Sequence, residues 1–174
     1  MTETTVIEIN ADTTLPVNFQ AVFDMWAELP KSPELPLASG FSLEFVPPKL
    51  LPWSVLVDVE IDPLDFRFRF WGTERTNLIG AEMTGKLISD IAHESMREGN
   101  RKEYQNVYRH GQAVLCRTPI VMRSGLESFR TSIRLPLSDN GVEVSRIFSA
   151  IDPDTIDEKH YEYFGTTPRR GTSS

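Results

Sequence analysis

The sequence predicts an α+β domain with a five-stranded antiparallel sheet, helices on one face, and an extra helix at the N-terminus. Three observations lead to this fold class. Two apolar strand patterns, residues 55–61 and 66–70, precede the main helical segment. Three further strand patterns follow it, separated by Ser-Gly and Asp-Asn-Gly clusters that are typical of hairpin turns. Two strands, a helical crossover and three consecutive strands can form one sheet that keeps its helices on one side.

The N-terminal part divides into a polar start and one amphipathic helix. Residues 1–17 are threonine-rich and are expected to be disordered. A helix is predicted from Asn18, a capping residue type, because large apolar side chains recur at helical spacing. These are Phe19, Val22, Phe23, Trp26 and Leu29. Pro30 ends the helix, and the prolines that follow predict an irregular connection.

The first two strands form a hairpin in which aromatic and basic residues alternate. Alternation at period two places Phe66, Phe68 and Phe70 on one face and Arg67 and Arg69 on the other. The aromatic face must be covered, either as core or as the wall of a ligand pocket, and the two roles are compatible. The arginines are expected on the outer face, paired with carboxylates or solvated, and Arg130, Arg134 and Arg146 could extend that stripe.

The middle of the chain is helical. Two short helical pieces are predicted near residues 74–78 and 87–91, followed by a longer helix over 95–110 that ends at Gly111. Residues 18–151 make up the predicted domain. Residues 152–174 are expected to be a short acidic helix and a disordered tail.

Composition argues against several classes of function. The net charge of -7, with scattered basic residues, disfavours nucleic acid and anionic membranes as partners. The single cysteine, Cys116, excludes an internal disulfide and fits a reducing cytoplasm. The start of the chain does not resemble a signal peptide, and no apolar run approaches the ~20 residues that span a bilayer.

Enzyme and metal motifs are not found. The sequence contains no GxSxG, P-loop or GxGxxG pattern, and its three histidines have no metal-ligand spacing. Asp58, Glu60 and Asp62 fall on one face of a strand, as in a solvated face. We therefore predict a protein that is not an enzyme and has no metal site.

Five motifs together resemble those of PAS domains, and more narrowly a family of bacterial stand-alone single-domain PAS proteins. The resemblance covers roughly residues 18–151, which is most of the chain. The motifs are Trp26, Leu50-Leu51-Pro52, Phe70-Trp71-Gly72-Thr73, Thr84-Gly85-Lys86, and Leu135-Pro136-Leu137-Ser138 with Gly141.

The PAS resemblance implies the spatial strand order 2-1-5-4-3 and a pocket between the sheet and the helices. It also implies a sensory or interaction module in the cytoplasm, which binds a small ligand or a partner protein and signals by contact. The candidate pocket residues are Trp53, Phe68, Phe70, Leu78, Ile88, Tyr104, Tyr108, Met122, Ile133 and Phe148.

No cofactor is predicted. Flavin-binding PAS domains resemble one another through a helix that carries Asn-Cys-Arg, whereas TERTNLIG has no cysteine and Cys116 falls in a strand. Flavin is therefore rejected. Haem in PAS sensors is held by a histidine near the long helix, but His110 at the end of that helix is explained by a capping role.

Two further hypotheses remain open at this point. One is a small α+β enzyme or carrier with a cone-shaped cavity, as in some steroid isomerases, for which Asp58, Asp90 and His93 are the candidate groups. The other concerns assembly. The apolar stripe of the N-terminal helix is predicted to form a homodimer interface, with packing inside its own chain as the alternative.

Overall fold

The computed structural model describes residues 3–169 and contains six strands and four α-helices. The strands are β1 (Thr5–Glu8), β2 (Ser54–Glu60), β3 (Asp65–Trp71), β4 (Val114–Val121), β5 (Glu127–Leu137) and β6 (Arg146–Ile151). The helices are α1 (Val17–Ala27), α2 (Thr73–Ile79), α3 (Glu94–His110) and α4 (Glu158–Phe164). In this part of the chain, no helix has both the length and the apolar character needed to cross a membrane.

The six strands form one antiparallel sheet in the order β1-β4-β5-β6-β2-β3. Without β1, this is the predicted order 2-1-5-4-3. The decisive pair is β2 beside β6, where Val57 lies opposite Ile147. The predicted α+β class and the predicted hairpin are both confirmed.

The N-terminal segment corrects the expectation of a disordered start. β1 pairs with the outer edge of β4, with Val6 opposite Cys116, and so adds a sixth strand. All four β1 residues are exposed, so no buried apolar face marks the strand in the sequence. Its order comes from the free backbone donors and acceptors at the β4 edge. Met1, Thr2 and residues 170–174, which include part of the predicted disordered tail, lie outside the described residues.

Both faces of the sheet are buried, with α3 on one face, as predicted, and the extra N-terminal helix α1 on the other. The inner face, defined here as the face that contacts α3, packs Phe66 and Phe68 against that helix through Tyr104. The outer face is covered by α1 and the proline-rich connection, which bury Phe148.

A β-bulge in β3 corrects the predicted position of Phe70. Val57 lies opposite Phe68, but Leu56 lies opposite Phe70, so Arg69 is the extra residue. Phe70 therefore turns to the outer face, and Trp71 packs edge-on against Phe68 on the inner face, with ring centroids 4.9 Å apart. The alternation of Phe and Arg is interrupted after Phe68.

Helix α1 docks on the sheet of its own chain. Phe19 and Val22 are fully buried against the outer face, and the Trp26 indole N–H donates to the Pro136 carbonyl at 2.8 Å. The apolar stripe is therefore buried within its own chain, whereas the predicted dimer interface requires the stripe to be free for a second chain. The predicted cap is also corrected, because Pro16 precedes the helix and the Asn18 amide instead donates to Asp152 at 2.7 Å.

The motifs that carry the PAS resemblance meet in space. The Gly72 N–H donates to the Ser54 carbonyl at 2.9 Å, and a Cβ at Gly72 would lie 2.1 Å from the Pro52 carbonyl oxygen. A Cβ at Gly141 would lie 1.5 Å from the Ser32 carbonyl oxygen. At both positions only glycine permits this close backbone approach. The Thr-Gly-Lys turn likewise bonds to β3, where the Gly85 N–H donates to the Phe68 carbonyl at 2.7 Å.

Candidate functional site

The inner face of β5 carries a row of buried polar side chains. Period two places Ser128, Arg130, Ser132 and Arg134 on this face, and each is at most 9% exposed. This corrects the expectation that Arg130 and Arg134 extend an outer basic stripe. The expected pairing of the other arginines is found: Arg67 bonds Glu60 at 2.6 Å, and Arg69 bonds Asp58 at 2.9 Å.

Arg134 is fully engaged beneath α3. Its guanidinium donates to the Glu103 carboxylate through Nε, at 3.1 Å, and through Nη2. The remaining donors reach Ser149 Oγ at 3.0 Å and Asn100 Oδ1 at 3.3 Å, and the guanidinium carbon lies 4.1 Å from the Tyr104 ring centroid. These bonds use four of the five N–H groups of the guanidinium, and through Glu103 and Asn100 they hold α3 to the sheet.

Among residues 3–169, Glu103 is the only carboxylate that bonds to Arg134. Burial alone would raise its pKa, but Arg134, together with Arg130 and Thr118, lowers the pKa below its ordinary value. Thr118 donates its hydroxyl hydrogen to Glu103 Oε1 at 3.2 Å. Both carboxylate oxygens are therefore occupied, and the group is ionised.

Two further arginines are buried beside this pair without a carboxylate of their own. Arg130 is 8% exposed and Arg75 is 5% exposed. Within residues 3–169 neither forms a salt bridge, although Arg75 lies over the Trp71 ring at 4.9 Å. Burial lowers the pKa of both groups, and lowers that of Arg75 to about 9. Three arginines and one carboxylate leave an excess of two positive charges.

A cavity of about 140 Å³, open on one side, lies beside these charges and is lined by residues of α3, β4, β5 and α4 together with Thr4. Arg130, Glu103 and Thr118 line its inner wall, and Met96 and Phe164 line an apolar side. A larger groove of about 550 Å³ between β1 and α3 shares Glu103, Thr4, Ser95 and Gly99 with the cavity. The groove is therefore its entrance, and β1 forms one wall.

The predicted pocket residues do not converge on this cavity, and none of the ten lines it. Phe68, Ile88, Tyr104 and Tyr108 pack in the inner-face core, while Phe70, Ile133 and Phe148 pack on the outer face. Leu78 and Trp53 pack with α4 in a third cluster, and Met122 is buried just after β4. The outer-face residues cannot reach a pocket beneath α3 because the sheet lies between them.

The cavity-lining charges were missed because a polar face of a strand was interpreted as solvated. In residues 127–134 the alternation of polar and apolar residues is visible, but it does not say which face meets water. The predicted strand order, which places β5 between two other strands, could have indicated that this face is buried, since a central strand of a sheet covered on both sides has no solvated face.

The groups proposed for an isomerase-like site lie apart. Asp58 pairs with Arg69 and Arg146, Asp90 accepts from the Leu87 N–H at 2.9 Å, and the His93 ring accepts from the Met96 N–H at 3.2 Å. The last two cap helical turns, and none of the three acidic or basic groups lines the cavity. They do not form an acid–base pair.

The topology decides the fold. A sheet in the order 2-1-5-4-3, with all crossover helices between the second and third strands, is the arrangement implied by the sequence motifs. The chain has a PAS fold. The narrower likeness to bacterial stand-alone PAS proteins stays a prediction.

Comparisons with known proteins give structural neighbours only. No family model matches the chain, and no curated protein matches it. An RNA-binding Light-Oxygen-Voltage receptor is 11% identical, with a TM-score of 0.48 over 95% of this chain and 41% of the receptor. The PAS domain of a Colwellia psychrerythraea protein is 10% identical, with a TM-score of 0.39 over 59% of this chain and 87% of that domain. This chain thus spans less than half of the receptor's length.

The prediction that no flavin binds has no support from the comparisons. One similar structure, 14% identical with a TM-score of 0.39 over 64% of this chain and 82% of its own, comes from a study of a flavin analogue in a Light-Oxygen-Voltage domain. In this chain α2 contains no cysteine, and burial in β4 raises the pKa of Cys116 to about 11. The cavity is also smaller than the ~300–1,000 Å³ of drug-sized ligand sites. Helix α2 therefore places no thiol where a flavin adduct could form.

Proposed function

We propose that this protein is a non-enzymatic sensory PAS module that binds a small ligand beneath α3 and signals by contact with a partner protein. One observation carries the proposal: a cavity between the sheet and α3 is lined by Arg130, a buried charge without a salt bridge in the described part of the chain. A buried unpaired charge is unfavourable in a structural core and is typical of binding sites.

The position of the cavity supports signalling by contact. Its walls come from α3, from Thr4 immediately before the N-terminal strand, and from α4 through Tyr163 and Phe164. Helix α4 also packs on α2, where the Thr166 hydroxyl donates to the Leu78 carbonyl. A ligand would therefore touch both terminal elements, whose outer surfaces a partner can contact.

The partner and the setting are part of the same proposal. We expect an unidentified signalling protein to receive the signal, and a homodimer to form through a surface other than the docked stripe of α1. The bacterial cytoplasm is the setting we expect, in keeping with the single buried cysteine.

The experiment is to identify what co-purifies with the protein. Gly99 lies on α3 at the cavity, and a Cβ there would meet no atom within 4 Å. Gly99→Leu should therefore fill the cavity without disturbing the helix. We expect small molecules released from the denatured wild-type chain, detected by mass spectrometry, to be missing from Gly99→Leu. We also expect a screen of neutral, cationic and anionic metabolites to find compounds that raise the melting temperature of the wild type alone.

Two outcomes would contradict the proposal. One is that no small molecule of any charge binds the wild-type chain. The other is that a bound molecule is retained by Gly99→Leu with unchanged affinity, because it would then lie outside the cavity.

A further inference from the structure

The excess of positive charge beside the cavity identifies the kind of ligand. Arg75, Arg130 and Arg134 lie near one carboxylate, Glu103, whose two oxygens already accept from Arg134 and Thr118. Arg130 is more than nine-tenths buried, lines the cavity, and has no salt bridge within the described residues. Its guanidinium therefore has donors to offer to whatever occupies the cavity.

We infer that the cavity binds a small oxyanion of about two negative charges, a dicarboxylate or a phosphate, held directly by Arg130. This inference rests on the proposed function. A charge of minus two would balance the cluster, since three guanidinium groups and one carboxylate sum to plus two. Arg presents a planar fork of N–H donors that matches carboxylate and phosphate oxygens in bidentate geometry.

The size of the cavity limits the ligand. A closed space of about 150 Å³ holds one benzene molecule, so the volume of about 140 Å³ admits about six to eight non-hydrogen atoms. Succinate and inorganic phosphate are within this limit. A nucleotide or a flavin needs several hundred Å³ and would have to extend into the adjoining groove of about 550 Å³.

The other walls are of mixed polarity. Ser95, Thr118 and Tyr163 are hydroxyl-bearing residues of the lining, while Met96 and Phe164 form an apolar side. Glu103 also lines the cavity, but its two oxygens accept from Arg134 and Thr118. A hydrogen bond between an ionised group and a hydroxyl is strengthened where water is kept away. Arg75 lies behind this wall, close enough for its charge to interact with Arg130, Arg134 and Glu103.

The protonation of the arginines agrees with this arrangement. Burial lowers the pKa of Arg75 to about 9 and also lowers the pKa of Arg130. A bound anion opposes this effect because a nearby negative charge favours the charged guanidinium. Ligand binding and charge on the arginines therefore support each other.

The test uses the full chain with succinate and with inorganic phosphate as probes. Binding is measured by isothermal titration calorimetry and by the melting temperature, with sodium chloride at equal ionic strength as the reference. Arg130→Met removes the charge and keeps an apolar side chain. Arg123→Gln, at an exposed turn, is the matched control.

We expect saturable binding of at least one of the two anions by the wild type and by Arg123→Gln. We expect Arg130→Met to bind it about tenfold to a hundredfold more weakly, since a hydrogen-bonded charge contributes on that scale. Without ligand, the Arg130→Met variant should melt no lower than the wild type, because it loses a buried unpaired charge.

Three outcomes would overturn the inference. The first is a melting shift that follows ionic strength alone, and the second is anion binding that is equal in the wild type and in Arg130→Met. The third is binding of a neutral or cationic compound, blocked by Gly99→Leu, while neither anion binds; the proposed function would then stand and only the ligand class would be wrong. If no compound of any charge binds, the proposed function fails as well.

Discussion

Arg134 and Glu103 form a salt bridge beneath helix α3, and only 4% and 5% of their side chains are exposed. The pair joins the longest helix to the central strand β5, beside the cavity that Glu103 lines. Charges buried to this degree must be compensated. Substitutions at this pair therefore test both the stability of the fold and the chemistry of the cavity.

Glu103→Gln is expected to destabilise the fold by about 3–5 kcal/mol, because it leaves Arg134 as a buried charge without a counter-ion. The double variant Glu103→Leu with Arg134→Met should recover most of this loss, since it removes both charges. Glu98→Gln, in an exposed pair on the same helix, is the control and should change little. Urea unfolding gives the three free energies, and equal losses for Glu98→Gln and Glu103→Gln would contradict the role of burial.

The stability that Glu103 contributes should depend on pH in one direction. Its pKa in the folded protein is lowered, chiefly because Arg134 outweighs the effect of burial. The unfolded chain therefore binds more protons around its ordinary pKa of about 4.3. The contribution is complete above that pH and is lost as the pH falls through the folded pKa. The difference between wild type and Glu103→Gln, measured by unfolding from pH 7 downward, should shrink below pH ~4.3; a constant difference would refute this.

The bulge in β3 predicts different effects at two neighbouring phenylalanines. Phe68 is 1% exposed in the inner-face core, and Phe68→Ala should cost about 3–5 kcal/mol of unfolding free energy. Phe70 is only partly buried at the border of the outer-face cluster, and Phe70→Ala should cost clearly less. Equal losses in denaturant unfolding would indicate that both rings lie on one face, as the simple alternation suggests.

Alanine substitutions at two glycines are expected to have opposite effects on stability. At Gly72 a Cβ would lie 2.1 Å from the Pro52 carbonyl oxygen, so Gly72→Ala should destabilise by roughly 1–3 kcal/mol or more. At Gly99, inside α3, a Cβ would meet nothing within 4 Å, and Gly99→Ala should stabilise by about 1 kcal/mol through helix propensity. Melting temperatures of the two variants would show the contrast. A neutral Gly72→Ala would mean that the corner between β3 and α2 has room.

The docking of α1 on its own sheet predicts an effect that does not depend on protein concentration. Phe19 is fully buried, and Phe19→Ala should cost about 3–5 kcal/mol, while Val17→Ala, at 82% exposure, should be nearly neutral. The loss caused by Phe19→Ala should be the same at protein concentrations roughly a hundredfold apart, since the contacts that it removes lie within one chain. A loss that changes with concentration would instead indicate that the helix packs across a dimer.

Most of the fold could be predicted from the sequence because its signals are local. Strand alternation, turn residues between the last three strands, and the glycines that end α2 and α3 at Gly80 and Gly111 depend on neighbours a few residues away. The strand order followed from motifs whose residues contact one another, such as Gly72 with Pro52. The stripe of α1 was also visible as a face that must be covered.

Only the tertiary structure decided what each face of the sheet contacts and on which face each side chain lies. The alternation in β5 places Arg130 and Arg134 on one face and Ile133 and Leu135 on the other. The face with the two arginines is buried only because β5 lies at the centre of a sheet covered on both sides. The bulge at Arg69 moved Phe70 from one face to the other, and β1 is held by the edge of β4, which is distant in sequence. Local patterns determine the elements, since they depend on backbone geometry. The cavity and its charges depend on long-range packing, because burial is a property of the assembled layers.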